Sequence, residues 1–238
     1  MQTRDVDYRC EEANLRGYLA YENTAGPRPG VLVFHEGLGL NEFAIERARR
    51  LAELGYVALA ADMFGERRQA TNLQEIATLV GGLRAEPEKL RARGRAALAT
   101  LAALPQVDAD RCAAIGFCFG GSVVLELARA GADLKAVVSF HGVLATKLPA
   151  QSGQVKASVL VCTGTEDPLA PPDQVAAFED EMRAAAVADW QVISYGNTLH
   201  GFTNPAADGS MMRTALYNEQ ADRRSWASMQ SLFDEVLT

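Results

Sequence analysis

The chain has 238 residues, 48% of them hydrophobic and 22% charged, the balance of a globular protein with a sizeable core. Its formal net charge of −7 excludes the clustered Lys and Arg excess that nucleic-acid binding requires. The arginine groups that do occur (Arg47, Arg49, Arg50; Arg84, Arg91, Arg93, Arg95) recur at helical spacing among glutamates and read as solvated helix faces.

In chain order, Asp5–Arg9 and Leu15–Tyr21 alternate polar and apolar residues, as an antiparallel hairpin at a sheet edge does. Val31–Phe34 is an unbroken apolar run after the turn Gly26-Pro27-Arg28-Pro29-Gly30 and reads as a strand buried on both faces. Asn41 then caps a helix with apolar positions Ile45, Ala48, Leu51 and Ala52, which stops at Gly55. Tyr56–Ala60 is the next strand. Phe64–Glu86 has no strand character and leaves room only for a very small lid. Pro87 opens a helix that Pro105 ends. Cys112–Phe117 is strand, Gly120–Ala130 helix, and Ala136–Phe140 and Ser158–Thr163 are strands. Pro172 starts a helix, Trp190–Tyr195 is the last strand, and about Thr214 to Val236 forms a closing helix. Strands alternating with helices predict a mostly parallel, doubly wound α/β sheet, here over residues 1–238 as one domain.

No apolar run approaches the ~20 residues that cross a bilayer, and Met1–Cys10 has no apolar core of the signal-peptide kind. No membrane partner is expected, and the cytoplasm is the expected location. Cys10, Cys112, Cys118 and Cys162 are scattered, as are His35, His141 and His200. Neither a disulfide framework nor a metal site is expected, and no cofactor.

The sharpest local signal is Gly116-Phe117-Cys118-Phe119-Gly120-Gly121, between a strand and a helix. A residue on such a turn stands above the carboxyl edge of the sheet, facing the positive end of the helix, which favours a thiolate and a developing oxyanion. Read by itself, the motif is equally a glycine-rich turn around a structural cysteine. Its partners decide for the nucleophile. The strand Ser158–Thr163 runs into Gly164-Thr165-Glu166-Asp167, and the strand Trp190–Tyr195 runs into Gly196–Phe202 with His200. Nucleophile, acid and histidine thus follow one another in the chain order of an α/β hydrolase, each on a loop after a strand. Glu166 is the alternative acid to Asp167.

These segments, together with His35-Glu36-Gly37-Leu38-Gly39-Leu40-Asn41, resemble the dienelactone hydrolase family over roughly residues 15 to 236. The resemblance implies an α/β-hydrolase fold with Cys118, His200 and Asp167 as a triad. It also implies that Glu36 contacts the resting thiol, and that the N–H groups of Gly37 and Phe119 form the oxyanion hole. A carboxylate beside a thiol disfavours the thiolate. His35 and His141 follow apolar strands and either border the pocket or pack beneath it; Phe64, Arg67, Arg68, His141 and Phe202 are the expected pocket residues.

Family members that open dienelactones hold the substrate carboxylate with two arginines. One of those positions is Asn204 here, and the other is Glu66, with Arg67 and Arg68 adjacent. The expectation is therefore a hydrolase of small neutral esters or lactones, acting as a monomer or a homodimer. The alternatives are carboxymethylenebutenolidase-type dienelactone hydrolysis with Arg67 or Arg68 as anchor, promiscuous hydrolysis of activated phosphoesters, and a non-catalytic binding protein on the same fold. A dinucleotide site at Gly37-Leu38-Gly39 is discounted, because Glu42 stands where the third glycine would fall.

Overall fold

A computed structural model describes all 238 residues. The chain opens on the expected hairpin, β1 (Gln2–Cys10) and β2 (Ala13–Tyr21), paired antiparallel along its whole length. It continues through β3 (Arg28–Phe34), α1 (Glu42–Glu53), β4 (Val57–Ala61), α2 (Leu73–Ala85), α3 (Pro87–Ala102), β5 (Val107–Phe117) and α4 (Phe119–Arg129). It closes with β6 (Ala136–Phe140), β7 (Ser158–Gly164), α5 (Pro172–Ala184), β8 (Trp190–Tyr195) and α6 (Glu219–Val236). All eight strands form one sheet in the order β1-β2-β4-β3-β5-β6-β7-β8. The pairs from β4 to β8 are parallel and β2 joins β4 antiparallel, which is the architecture of an α/β hydrolase.

The central strands β4 and β6 are buried at every position, which is why they read as continuous apolar runs. Side chains on one face of the sheet pack on α3, α4 and α5, with Leu101, Val123, Leu127 and Phe178 in that layer. Those on the other face pack on α1 and α6 through Ala48, Leu51, Trp226 and Phe233. Each large apolar side chain so buried stabilises by ~1.5–3 kcal/mol relative to exposure. Asn41 caps α1 as expected, its Oδ1 accepting the Ala44 N–H.

Two expectations change. The segment from Phe64 to Glu86, expected only to lack strands and to leave room for a very small lid, holds the thirteen-residue helix α2, capped by Asn72, whose Oδ1 accepts the Glu75 N–H at 2.9 Å. The arginines read as solvated are only partly so: Arg47 and Arg91 are buried, as is Arg129, which is not among them. Arg91 and Arg129 are buried and share Glu126, with Arg129 also gripping Glu181 through two contacts of 2.8 Å. Arg47 is buried against Asp222 and donates to the Thr203 carbonyl, its guanidinium lying over the Phe43 and Trp226 rings. Apart from Glu126 for Arg129, three residues earlier on α4, their partners lie on distant elements, which helical spacing does not reveal. A buried pair of this kind is costly to break on one side only, because a buried charge is left alone.

The carboxyl ends of β3, β5, β6, β7 and β8 all open on one edge of the sheet, and the crossing of α4 over that edge is tight. A Cβ at Gly116 would overlap the Gly120 carbonyl, and one at Gly120 would overlap the Phe34 carbonyl. Because backbone cannot give way there, Gly120→Ala is expected to destabilise by about 3 kcal/mol or more. That corresponds to a fall in Tm of roughly 6–12 °C for a chain of this size. Gly196→Ala, at a position with open space around it, serves as control and should melt as the wild type does. Equal melting of the two variants by circular dichroism would refute the steric account.

Candidate active site

Cys118 sits between β5 and α4 with φ 52° and ψ −110°, a left-handed conformation that costs a non-glycine residue of order 1–3 kcal/mol. The surrounding backbone holds it there. The Cys118 N–H is shared between the Phe140 carbonyl at 3.0 Å and the Nδ1 of His141 at 3.1 Å, and the Gly120 N–H donates to the His35 carbonyl at 3.0 Å. The thiol is half-buried at the inner end of α4, where the first N–H groups have no intrahelical partner.

From the end of β7, the buried Asp167 accepts from the His200 ring, Oδ2 to Nδ1 at 2.7 Å. Glu166, the alternative acid, is exposed and bonds Thr165 instead. His200 hangs on one short bridge to Ala215, made of two hydrogen bonds: its N–H donates to the Thr214 carbonyl, and its carbonyl accepts from the Leu216 N–H. The remaining ring nitrogen, Nε2, is buried without a completed hydrogen bond. Burial pulls the imidazolium pKa down, but the facing Cys118 and then Asp167 outweigh it and raise the pKa to about 10. A histidine so held, oriented by a carboxylate and facing an elbow cysteine, is placed where it can take up the thiol proton.

Glu36 follows β3 and is buried. Its Oε2 accepts from Asn204 Nδ2 at 2.7 Å, and no hydrogen bond joins it to the Cys118 thiol. The family resemblance implies a contact with the resting thiol; the hydrogen bond that the structure gives this carboxyl group is the one from Asn204. Burial raises the Glu36 pKa against the opposing pulls of Asn204, His200 and Arg47. The His35 ring donates from Nδ1 to the Glu36 carbonyl at 2.6 Å and accepts the Met63 N–H on Nε2 at 3.2 Å. In a trans peptide the C=O and N–H point opposite ways, so this bond turns the Gly37 N–H away from His35.

Beside Cys118 opens a cavity of about 530 Å³, walled by α2 on one side and by the irregular segment 204–215 on the other. Hydrophobic side chains supply 14 of its 24 lining residues, with Leu73, Ile76 and Val80 facing Met211 and Met212. Leu73 and Met211 are among the most exposed large apolar side chains of the protein and form its rim. Glu36, Gly37, Cys118, Phe119 and His200 all reach this space.

The expected pocket residues do not line it. Arg67 pairs with Asp5 on β1 at 2.9 Å, and Arg68 is exposed. His141 and Phe202 are fully buried, and Phe64 stacks on Phe119 behind the wall, ring centroids 5.6 Å apart. The arginine that does face the cavity is Arg84, at the end of α2, with one guanidinium nitrogen bonded to Ser122 Oγ at 2.9 Å. Its burial lowers its pKa, and the nearby Cys118 acts in the opposite sense. The sequence hid Arg84 among surface arginines. Only the capping pattern Asn72-x-x-Glu75 announces the helix that carries it.

Comparison with known proteins agrees with this geometry. The sequence profile described as the dienelactone hydrolase family matches residues 15–237. The chain belongs to the dienelactone hydrolase family. By that membership it is a hydrolase of esters or lactones. A solved structure named m3DLH is 46% identical and superimposes with a TM-score of 0.94 over 100% of this chain and 99% of that one. The dienelactone hydrolase-like promiscuous phosphotriesterase P91, from metagenomic libraries, is 44% identical with a TM-score of 0.93 over the same shares. An Escherichia coli (strain K12) protein with the provisional name carboxymethylenebutenolidase is 30% identical over 199 residues, 79% of this chain and 73% of that one.

Both buried histidines outside the Asp167 pair, His35 and His141, have lowered pKa values, burial being the main cause. An unfolded chain takes up protons on them near pH 6.5 while the native state does not, so their contribution to stability is present above that pH and lost below it. Glu36 and His200, with raised pKa values, act in the opposite sense; the His200 contribution is already nearly complete below pH 6.5, so the two lowered histidines govern the change from there to pH 5. The urea midpoint is expected to fall between pH 7 and pH 5, with a slope approaching ~1.4 kcal/mol per pH unit for each histidine. A flat midpoint would mean that these rings are charged in the native protein.

Proposed function

We propose that the chain hydrolyses small uncharged esters or lactones through a thioester on Cys118, with His200 as proton shuttle and Asp167 as its orienting carboxylate. The observation that carries this reading is one juxtaposition: a strained elbow cysteine, a buried histidine–carboxylate pair at 2.7 Å, and a mainly apolar cavity touching both.

The thiolate attacks the carbonyl carbon, forming a C–S bond and sending the carbonyl electrons to oxygen. The N–H of Phe119, first residue of α4, and that of Gly37, turned away from His35, are the donors for this oxyanion. Collapse breaks the C–O bond, and the leaving alkoxide takes its proton from His200. Water, deprotonated by His200, then attacks the thioester; the C–S bond breaks, the carboxylic acid leaves, and the thiolate is restored. The reaction closes without a cofactor. The same four thiols, all free in the structure, fit the reducing cytoplasm as its location.

Substrate charge follows from the cavity. A bidentate carboxylate clamp needs guanidinium groups fixed in place, yet Asn204 is spent on Glu36, Arg67 on Asp5, and Arg84 partly on Ser122. A carboxylate entering the site would also meet Glu36. Neutral substrates are the better match. A second reading has a specific basis: the 44% identical relative is named a promiscuous phosphotriesterase, and a neutral phosphotriester meets the same apolar walls and the same soft nucleophile.

Cys118→Ala should lower 4-nitrophenyl acetate hydrolysis by at least ~10³-fold with melting unchanged; full turnover in that variant would end the cysteine mechanism. For matched esters differing only in a carboxylate near the reacting carbonyl, kcat/KM should favour the neutral one. A missing charge-assisted contact of ~1.5–3 kcal/mol makes the margin roughly 10- to 150-fold. The opposite preference, abolished by Arg84→Met, would show that Arg84 alone anchors a charged substrate. Assays on the activated triester paraoxon decide the second reading directly.

A further inference from the structure

His141 follows β6 with no exposed surface, so it touches no substrate, yet both of its ring nitrogens are bonded to the two loops that carry the chemistry. Its Nδ1 accepts the N–H of Cys118 at 3.1 Å, and its Nε2 meets Thr203 Oγ1 at 2.8 Å, three residues beyond His200. Because Nδ1 faces a donor, it carries no proton, and the ring N–H lies on Nε2, donating to Thr203. The ring itself packs edge-on to His200 and to Phe202, centroids 5.1 Å away in both cases. The neighbours facing it that carry or gain charge are Cys118, His200 and Arg47. Burial first, then His200 and Arg47, keep it uncharged. Its backbone is held at φ 41°, a strained value for a side-chain-bearing residue, by an N–H bond to the Cys162 carbonyl at 2.8 Å. Thr203 is itself completely buried, and its carbonyl is gripped by Arg47.

We propose that His141 is a positioning residue that sets the distance between the Cys118 elbow and the His200 loop by bridging the Cys118 backbone to Thr203. It rests on the reading of Cys118 and His200 as nucleophile and proton shuttle. The imidazole is a rigid spacer between two polar atoms of different loops, and only its neutral, Nε2-protonated form serves both. A bridge of this kind acts on the alignment of sulfur and imidazole and leaves the cavity walls, and hence substrate binding, alone. Its loss is a loss of chemistry at unchanged affinity.

The test is a double-mutant cycle on the full chain with 4-nitrophenyl acetate, using His141→Phe, Thr203→Val and the pair together. Misalignment of reacting groups by a fraction of an ångström to one ångström costs up to ~10²-fold. His141→Phe should therefore lower kcat by roughly 10- to 100-fold with KM within about twofold. Thr203→Val, nearly isosteric and the safer variant for folding, should lower kcat in the same sense by a smaller factor. The double variant should be no slower than His141→Phe alone, because both remove one bridge. His141→Asn, whose carbonyl can take the place of Nδ1 and keep the Cys118 N–H bond, should recover part of the loss. Additive effects, an unchanged kcat in Thr203→Val, or equal losses in His141→Asn and His141→Phe would overturn the bridge. Cys118→Ala run alongside separates the two levels: if it remains active the nucleophile assignment fails, whereas an inactive Cys118→Ala beside an undiminished His141→Phe sinks this inference alone.

Discussion

The close approach of α4 to the ends of β3 and β5 is the constraint on which the rest of the site depends. Without side chains at Gly116 and Gly120, strand, turn and helix pass at backbone contact, and no other residue fits there. That contact forces Cys118 into its left-handed conformation and aims the open N-terminus of α4 at its sulfur. Through the bond from the Gly120 N–H to the His35 carbonyl, it also fixes where the Glu36–Gly37 segment leaves β3. One crossing thus orients Cys118, the helix dipole behind it and the neighbouring segment that faces it.

Around this crossing the charged groups are sorted by burial. Where the backbone needs rigid spacers, neutral imidazoles are used: His35 beneath the Gly37 peptide and His141 between two loops. Where separate helices must be locked, arginines are buried with carboxylates, Arg129 with Glu181, Arg91 with Glu126, and Arg47 with Asp222. Among the histidines only His200, between a carboxylate and a cysteine, has its pKa raised. The division follows from desolvation: a buried charge is tolerated only beside its counter-charge, and a lone buried histidine stays uncharged.

Much of this was legible in the sequence because it is local. Glycines flanking Cys118, an acid two or three residues past one strand and a histidine past the next are all readable within ten-residue windows. The parallel sheet follows from apolar runs without alternation, as in Val57–Ala61 and Ala136–Phe140. What stayed hidden depends on partners far along the chain. Arg67 looks free until it meets Asp5, and Asn204 looks like a missing arginine until it meets Glu36, which lies 168 residues earlier. The helix α2 escaped notice for a different reason. Its apolar residues face the cavity and leave only Leu83 buried, so they do not trace a core-facing stripe.

The two walls of the cavity share one property: neither belongs to the sheet. α2 lies in the connection between β4 and α3, and segment 204–215 hangs from the short bridges of His200 to Ala215 and of Asp208 to Leu216. Substitutions at Ile76, Val80, Met211 or Met212 therefore reshape the space without disturbing the glycine crossing or the histidine spacers. Methionine, unbranched and polarizable, already accommodates more than one shape. The scaffold separates a part that must be conserved for chemistry from a part free to drift, so new substrate ranges lie a few wall substitutions away from the present one.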